Sequence, residues 1–198
     1  LYPTDMAASA SAVIAVSGDY YIFRQLGITV YQRQLYRFAP KSVDSCFFTA
    51  SGDMLFSRAG EMSSQEEAQQ FITDNDVTFA VAFGPVMVDN GQLAEFGSYP
   101  IGENNRTYSR TAIGQRDKLH YILMTINYED DHSVAATVSE AAEYIFSKGV
   151  VKAYALDGGQ TSTMVMNGHT VNRPDWGNQL TQSDIIYFAT ALPEEVNP

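Results

Sequence analysis

Three short polar segments, each predicted to be a loop at the edge of a strand, carry side chains that could bind a ligand or transfer a proton: Ser17-Gly18-Asp19, residues 109–114, and Asp157-Gly158-Gly159. The third segment follows an apolar run, 150–156, that predicts a buried strand. Two consecutive glycines free the backbone for positive φ and let a ligand approach the main chain closely. A carboxylate at a strand end, followed by such a loop, suggests a polyol or phosphate site. The alternative interpretation is an Asp-Gly turn between two strands.

The side chains of these segments point to particular chemistry. Arg110 and Thr111 offer a planar fork of donors and a hydroxyl, which suit a phosphate or a carboxylate, although Arg110 could equally form a surface ion pair. Asp157 could act as an acid, a base or a nucleophile, hold a sugar hydroxyl, or cap its own loop. Asp19 could supply a second carboxylate or be a solvated turn residue.

Several common catalytic and metal-binding patterns do not occur in the sequence. The three histidines, His120, His132 and His169, lack the spacing of metal ligands. We expect a structural role for His120, and His169 is a weak candidate for a substrate contact. His132 follows the acidic run 129–131, which predicts a solvated turn more than a cation site. The sequence contains no Gly-x-Ser-x-Gly elbow, phosphate-binding loop or dinucleotide fingerprint.

The elements that must position these residues are mostly strands. Capping boxes at Ser63–Glu66 and Thr137–Glu140 predict two helices, the first ending near Ile72 and the second before Gly149. Residues 97–110 predict a loop, and Asn90-Gly91 predicts a tight turn. Runs of β-branched and aromatic residues predict strands at 12–16, 34–38, 45–50, 54–56, 79–83, 85–88, 118–127 and 184–191, a hairpin at 164–171, and a strand or aromatic turn at 20–23.

Composition limits the class of protein. The 198 residues show no repeat and no break in composition, so we expect one α+β domain spanning 1–198, with a mixed or antiparallel β-sheet core and a few helices. A net charge of −11 argues against nucleic acid or an anionic membrane surface as a partner. The single cysteine, Cys46, predicts a buried thiol. No apolar run is long enough to span a membrane. The chain begins at Leu1 without a signal peptide, so we expect a targeting segment to be missing.

Five motifs, in order, resemble those of the phosphodiester glycosidase domain family. The resemblance covers about residues 12–190, and the family's Arg-Thr-Ala-Ile-Gly motif is matched outright at 110–114. The chain departs from the family at Ser17, where the family usually has Asn, and at Asp19, where it usually has Gly. It also lacks an Arg that commonly follows Pro174, and the resemblance implies that an N-terminal piece is absent. The other matching segments are 15–21, 83–91, 156–162 and 172–174.

The resemblance implies a glycoside hydrolase that cleaves a sugar-1-phosphodiester, such as one of N-acetylglucosamine, in a bacterial envelope or extracellular glycan. Asp157 and Asp19 would be the catalytic carboxylates. Arg110 and Thr111 would bind the phosphate. The remaining residues expected to contact substrate are Ser17, Gly18, Gly158, Gly159, Gln160, Thr161 and Ser162.

Two other functions remain open on the sequence. The altered segment Ser17-Gly18-Asp19 favours a glycan-binding module that has kept the fold and lost the chemistry. We expect no cofactor, and a weaker third hypothesis is a hydrolase that holds a divalent cation between Asp157 and Asp19. In each case the expected partner is a carbohydrate or sugar phosphate, and the resemblance implies an extracellular or cell-envelope location.

Overall fold

The computed structural model describes residues 1–20, 23–96, 104–127, 135–174 and 177–190. Several expectations fall outside these ranges: the middle of the segment 20–23, the first part of the loop 97–110, His132 with its acidic run, and the last residue of the strand predicted at 184–191.

The described residues form three antiparallel sheets and three α-helices, which confirms an α+β fold. The helices are α1 (Pro3–Ser9), α2 (Gln65–Asp74) and α3 (Val138–Phe146). The strands are β1 (Ala12–Ser17), β2 (Gly27–Tyr31), β3 (Gln34–Ala39), β4 (Ser45–Thr49), β5 (Met54–Ser57), β6 (Val77–Val81), β7 (Val86–Asp89), β8 (Gln92–Leu93), β9 (Arg110–Asp117), β10 (His120–Ile126), β11 (Lys152–Leu156), β12 (Met164–Met166), β13 (His169–Thr170) and β14 (Ile185–Ala189).

The sheets differ in strand order but share one junction. The first sheet has the order β13-β12-β1-β14, the second β10-β9-β11-β7-β8, and the third β3-β2-β6-β4-β5. The chain leaves the third sheet after β6 and enters the second at β7, and Gly84-Pro85 lies between these strands. The prediction of two separate strands, at 79–83 and 85–88, is therefore confirmed. One buried apolar cluster contains residues of all three sheets, among them Val16, Phe48 and Tyr154. We call the place where the sheets meet at this cluster the junction of the sheets.

The predicted helices and hairpins are present, with one shift in register. Thr137 and Glu140 form the expected capping box of α3. The N-cap of α2 lies one residue later than predicted: it is Ser64, whose hydroxyl accepts a hydrogen bond from the Glu67 N–H at 3.1 Å. The Glu67 carboxylate accepts hydrogen bonds from the N–H and the hydroxyl of Ser63, the residue before the N-cap, at 2.8 and 2.7 Å.

The sequence did not predict α1, β2 or β8. The helix α1 has seven residues, too few to show a helical period, and it is stabilised by packing of Ala7 against β1. The short strand β2 gains its place by pairing with both β3 and β6. The prediction that Cys46 is a buried thiol is confirmed, and burial raises the pKa of that thiol well above its ordinary value.

Residues 110–114, which we expected to be a loop, lie in the strand β9. This strand pairs with β10 on one side and β11 on the other, so it is interior to its sheet. Ala112 and Ile113 are fully buried. The strand begins with two polar residues, Arg110 and Thr111, so its sequence does not resemble that of a buried strand. Pairing with a neighbouring strand on each side makes the segment a strand.

Candidate functional site

Asp157 stands at the end of β11, where its loop turns back over β9. The residue is 8% exposed, and its N–H donates a hydrogen bond to the Gly18 carbonyl at 3.0 Å. The next residues form one turn of 3₁₀ helix, Gly159–Thr161. Since β11 pairs with β9 and β7 while β12 pairs with β1, the segment is not the turn of a hairpin. The alternative interpretation of this loop as a simple turn between paired strands is therefore wrong.

The two glycines of this loop allow close contact with the backbone that leads into β9. A side-chain Cβ at Gly158 would lie 2.7 Å from the Ser109 carbonyl oxygen, well inside contact distance. The Gly159 N–H donates to the same carbonyl at 2.7 Å, and Gly159 has a φ of +61°. The glycines therefore serve the packing of the loop against the chain just before Arg110.

Asp19 follows the end of β1 and points into the junction of the sheets. Its side chain is 2% exposed, so the interpretation as a solvated turn residue is wrong. Its Oδ2 accepts a hydrogen bond from the Ala82 N–H at 2.9 Å, and its Oδ1 accepts one from the Tyr20 N–H at 2.5 Å. The Arg24 guanidinium lies 3.9 Å from Oδ1. Asp19 thus joins the first sheet to the third through a buried, partly neutralised carboxylate.

A third carboxylate, Asp184, belongs to the same group and was not found by sequence reasoning. Antiparallel pairing of β14 with β1 places Ser17 opposite Ile185, so Asp184 lies next to Gly18 and Asp19. Its Oδ1 accepts a hydrogen bond from the Asp19 N–H at 2.8 Å, and its carbonyl accepts one from the Gly18 N–H at 3.3 Å. A Cβ at Gly18 would lie 2.7 Å from that Oδ1. The peptide between Gly18 and Asp19 is therefore clamped between Asp184 and Asp157.

Burial and mutual repulsion make these carboxyls weak acids. Burial, opposed by hydrogen bonds from Thr161 and Gly158 and reinforced by the charge of Asp19, raises the pKa of Asp157 to about 7. Burial together with the charges of Asp19 and Asp157 raises the pKa of Asp184 to about 8. Near neutral pH the group therefore holds protons that exposed carboxyls would have lost.

The pKa of Asp19 is also raised by burial, but its surroundings oppose that shift. Hydrogen bonds from Ala82 and Tyr20, and the positive charges of Arg24 and Arg37, favour its ionised form. Arg24 itself donates to the Ala82 carbonyl at 2.7 Å and stacks over the Phe83 ring at 4.9 Å. Sequence reasoning missed Arg24, because its contacts with Ala82 and Phe83 join distant parts of the chain that only the fold brings together.

The hydroxyls expected to bind substrate form a buried network under the Asp157 loop. Ser17 Oγ donates to the Thr161 carbonyl and accepts from the Thr163 N–H. Thr111 and Ser162 are buried, and their hydroxyls are 3.0 Å apart. This network holds the loop in place, and Gln182, which sequence reasoning also missed, adds a donor to the Thr161 carbonyl at 2.6 Å. A direct substrate contact by these hydroxyls stays a prediction.

The side chains of Arg110 and Thr111 are not placed to bind one phosphate together. Successive residues of a strand point to opposite faces, so Arg110 and Thr111 do not form one fork. The Arg110 guanidinium donates to the carbonyls of Ala136 at 2.8 Å and Arg106 at 2.7 Å, and it stacks on the Tyr108 ring. The backbone of Arg110 does contact the segment after Asp157, because its carbonyl accepts a hydrogen bond from the Ser162 hydroxyl at 3.3 Å.

The other sequence candidates lie at the surface. Gln160 is exposed at the top of the 3₁₀ turn, and His169 and His120 are exposed on β13 and β10. Within the described parts of the chain, no group of three or more histidine, cysteine or acidic side chains is arranged to hold a metal ion. Among the same residues, no helix has the length and hydropathy needed to cross a membrane.

These observations define an α+β domain with a group of buried carboxyls at the junction of three sheets. A family profile described as phosphodiester glycosidase matches residues 10–189. The chain belongs to this family, which confirms the resemblance drawn from its motifs. A search of the curated proteins gives no significant match.

Two solved structures are similar in fold. One is the catalytic domain of zebrafish N-acetylglucosamine-1-phosphodiester alpha-N-acetylglucosaminidase, auto-inhibited by its pro-peptide, with a TM-score of 0.76 and 18% identity over 96% of this chain and 67% of that chain. The other is a hypothetical protein from Synechocystis, with a TM-score of 0.56 and 12% identity over 94% of this chain and 52% of that one. At these identities the likeness concerns the fold alone.

Proposed function

We propose that this protein hydrolyses the bond between the anomeric carbon of a sugar and a phosphodiester, with N-acetylglucosamine as the sugar. The observation that carries the proposal is the convergence of three buried carboxyls, Asp19, Asp157 and Asp184, in which Asp19 accepts two N–H donors and faces Arg24. A glycosidase needs one carboxyl that still holds its proton and another that has lost it. Membership in the phosphodiester glycosidase family and the fold shared with the zebrafish enzyme support the same reaction.

The two catalytic roles follow from the surroundings of each carboxyl. Asp157, whose pKa is raised to about 7, gives its proton to the leaving phosphate oxygen as the bond from that oxygen to C1 breaks. The electron pair of that bond goes to the same oxygen. Asp19, whose carboxyl oxygens accept two N–H donors and face Arg24, takes a proton from the water that attacks C1 or attacks C1 itself. The products are the free sugar and a phosphate monoester.

The acidic surroundings are compatible with an anionic substrate. Two of the three carboxyls have pKa values near or above neutrality, so much of their negative charge is absent at pH 7. Arg24 and Arg37 add positive charge beside Asp19. Asp19 stands where the family usually has Gly. For these reasons its carboxyl repels a phosphate less than an exposed carboxylate would.

The test is cleavage of an aryl phosphodiester of N-acetylglucosamine by the purified protein and by Asp157→Asn and Asp19→Asn variants. We expect turnover by the wild type and a loss of at least about a hundredfold in each variant, since acid and base groups typically contribute that much. The control is Asp117→Asn, because Asp117 is exposed at the far end of β9 and accepts an N–H bond from Lys118 much as Asp19 does from Tyr20.

The alternatives give different results in the same assay. Sugar binding by calorimetry without any turnover, unchanged in Asp157→Asn, would identify a glycan-binding module in place of an enzyme. Loss of turnover in a chelator, restored by a divalent cation, would support the cation-dependent hydrolase. Proton magnetic resonance of the first sugar product distinguishes attack by water from attack by Asp19, because the two routes leave opposite anomers. An extracellular or cell-envelope location stays a prediction.

A further inference from the structure

Two exposed aromatic rings, those of Tyr20 and Phe23, follow Asp19 in the chain, and the Tyr20 N–H binds the Asp19 carboxyl. Tyr20 and Phe23 stack with their ring centroids 4.8 Å apart and their planes inclined by 29°. Phe23 is 65% exposed and Tyr20 is 37% exposed. Because each ring covers one face of the other, an exposure of this size leaves an outer aromatic face in contact with water. Burial in the core does not account for this pair, since neither ring belongs to the apolar clusters of the fold.

The pair is fixed relative to the carboxyls by backbone hydrogen bonds. The N–H groups of Phe23 and Arg24 both donate to the Tyr20 carbonyl at 3.1 Å, which closes a turn from Tyr20 to Arg24. At the start of that turn the Tyr20 N–H is bound by Asp19, and at its end Arg24 approaches the same carboxylate. One turn therefore carries both rings, and its two ends meet at Asp19.

We propose that Tyr20 and Phe23 form a platform on which the sugar ring of the substrate lies while its anomeric carbon faces the carboxyls. This inference rests on the proposed function and assigns a sugar subsite to the same site. A pyranose with equatorial substituents has an apolar face of C–H groups, which packs on an aromatic face and removes both from water. The negative face of an aromatic ring is a poor surface for a phosphate, so the platform binds the sugar half of the diester.

The size of the platform also favours a sugar over a protein partner. An aromatic side chain buries roughly 150 to 250 Å². Two such rings fall far short of the roughly 1,200 Å² that a stable protein interface buries. A single sugar ring, by contrast, is matched in size by one or two aromatic side chains.

The experiment compares Phe23→Ala with Tyr36→Ala by calorimetric titration with free N-acetylglucosamine and, separately, with inorganic phosphate. Tyr36 is a matched control because it is also 65% exposed and also contacts a second aromatic ring, that of Tyr31 at 6.2 Å, but on the third sheet. We expect Phe23→Ala to weaken sugar binding about tenfold, which corresponds to about 1.4 kcal/mol. We expect phosphate binding to be unchanged, Tyr36→Ala to bind like the wild type, and Phe23→Trp to restore sugar affinity.

The possible outcomes separate the platform from the proposed reaction. Equal sugar affinity in the wild type and Phe23→Ala, or no sugar binding by the wild type, overturns the platform whatever the hydrolysis assay gives. Selective loss of sugar affinity in Phe23→Ala supports the platform even if the wild type cleaves no phosphodiester, in which case the proposed reaction alone fails. A parallel loss of phosphate affinity, or a lowered unfolding midpoint of Phe23→Ala relative to Tyr36→Ala, would indicate a disturbed turn and overturn the assignment.

Discussion

A carboxyl that loses its hydration becomes a weaker acid, and the three carboxyls of this site also repel one another. Asp157 and Asp184 have raised pKa values because the fold places them beside Asp19 in a dry junction. Asp19 is stabilised in its ionised form by N–H groups from Tyr20 and Ala82. The side chains alone are identical, so the difference in acidity between them arises from burial, hydrogen bonds and the position of Arg24.

We expect Asp184→Asn to alter the pH dependence of folding. A native pKa of about 8 lies above the ordinary value of 3.8, so the folded state holds this proton more tightly than the unfolded chain does. The stability that it contributes is present below about pH 4 and is lost as the pH rises towards 8. The variant lacks this titrating group. Its free energy of unfolding, relative to that of the wild type, should therefore rise by at most about 1.4 kcal/mol per pH unit across that window. Urea unfolding followed by circular dichroism measures the difference.

Asn at position 184 keeps an oxygen that can accept the Asp19 N–H, so the geometry of the clamp is preserved. The same substitution at Asp117 is the control, because it removes an exposed carboxylate outside the buried group. If the Asp184→Asn variant is destabilised equally at all pH values, Asp184 stabilises the fold through its hydrogen bond, and its charge has no effect on stability.

The strands that support the site could be predicted, but the way in which they meet could not. Runs such as 12–16 and 150–156 have the β-branched and apolar residues typical of buried strands, and Gly158-Gly159 marks a close backbone approach. Asp184 was missed because the hydrogen bond between it and Asp19 joins residues 165 positions apart. That contact exists only because β14 pairs with β1, and local sequence carries no signal of this pairing.

At the level of the Asp157 loop, Gly158→Ala should destabilise the protein and displace the loop. The φ of Gly158 is −133°, which alanine can adopt, so the cost comes from the collision of the new Cβ with the Ser109 carbonyl oxygen. We expect a loss of roughly 1 to 3 kcal/mol in the free energy of unfolding, as for other overpacked positions. Gly60→Ala is the control, because its Cβ would meet nothing within 4 Å, and only its φ of +78° opposes the change. A loss in Gly158→Ala no larger than in Gly60→Ala would show that the loop adjusts freely.

At the level of the whole molecule, the site lies where three sheets meet and where their shared apolar cluster ends. Val16, Val81 and Leu156, the residues near the ends of β1, β6 and β11, all belong to that cluster. Just beyond these residues, backbone N–H groups bond from one sheet to another: that of Ala82 to Asp19, that of Gly84 to the Ala155 carbonyl, and that of Asp157 to the Gly18 carbonyl. A site built in this way is positioned by the rigid ends of strands, which keeps its carboxyls in fixed relation to one another.

The charge of the whole molecule predicts how binding of an anionic substrate responds to salt. With a net charge of −11, the protein repels a phosphodiester at long range even though Arg24 and Arg37 lie at the site. Raising the ionic strength from about 0.02 to 0.2 M shortens the reach of that repulsion to below 10 Å, so kcat/KM for the aryl phosphodiester should rise by about twofold. The affinity for free N-acetylglucosamine, which is neutral, is the control and should stay constant. A fall in kcat/KM with salt would instead mean that the local arginines dominate the field that the substrate meets.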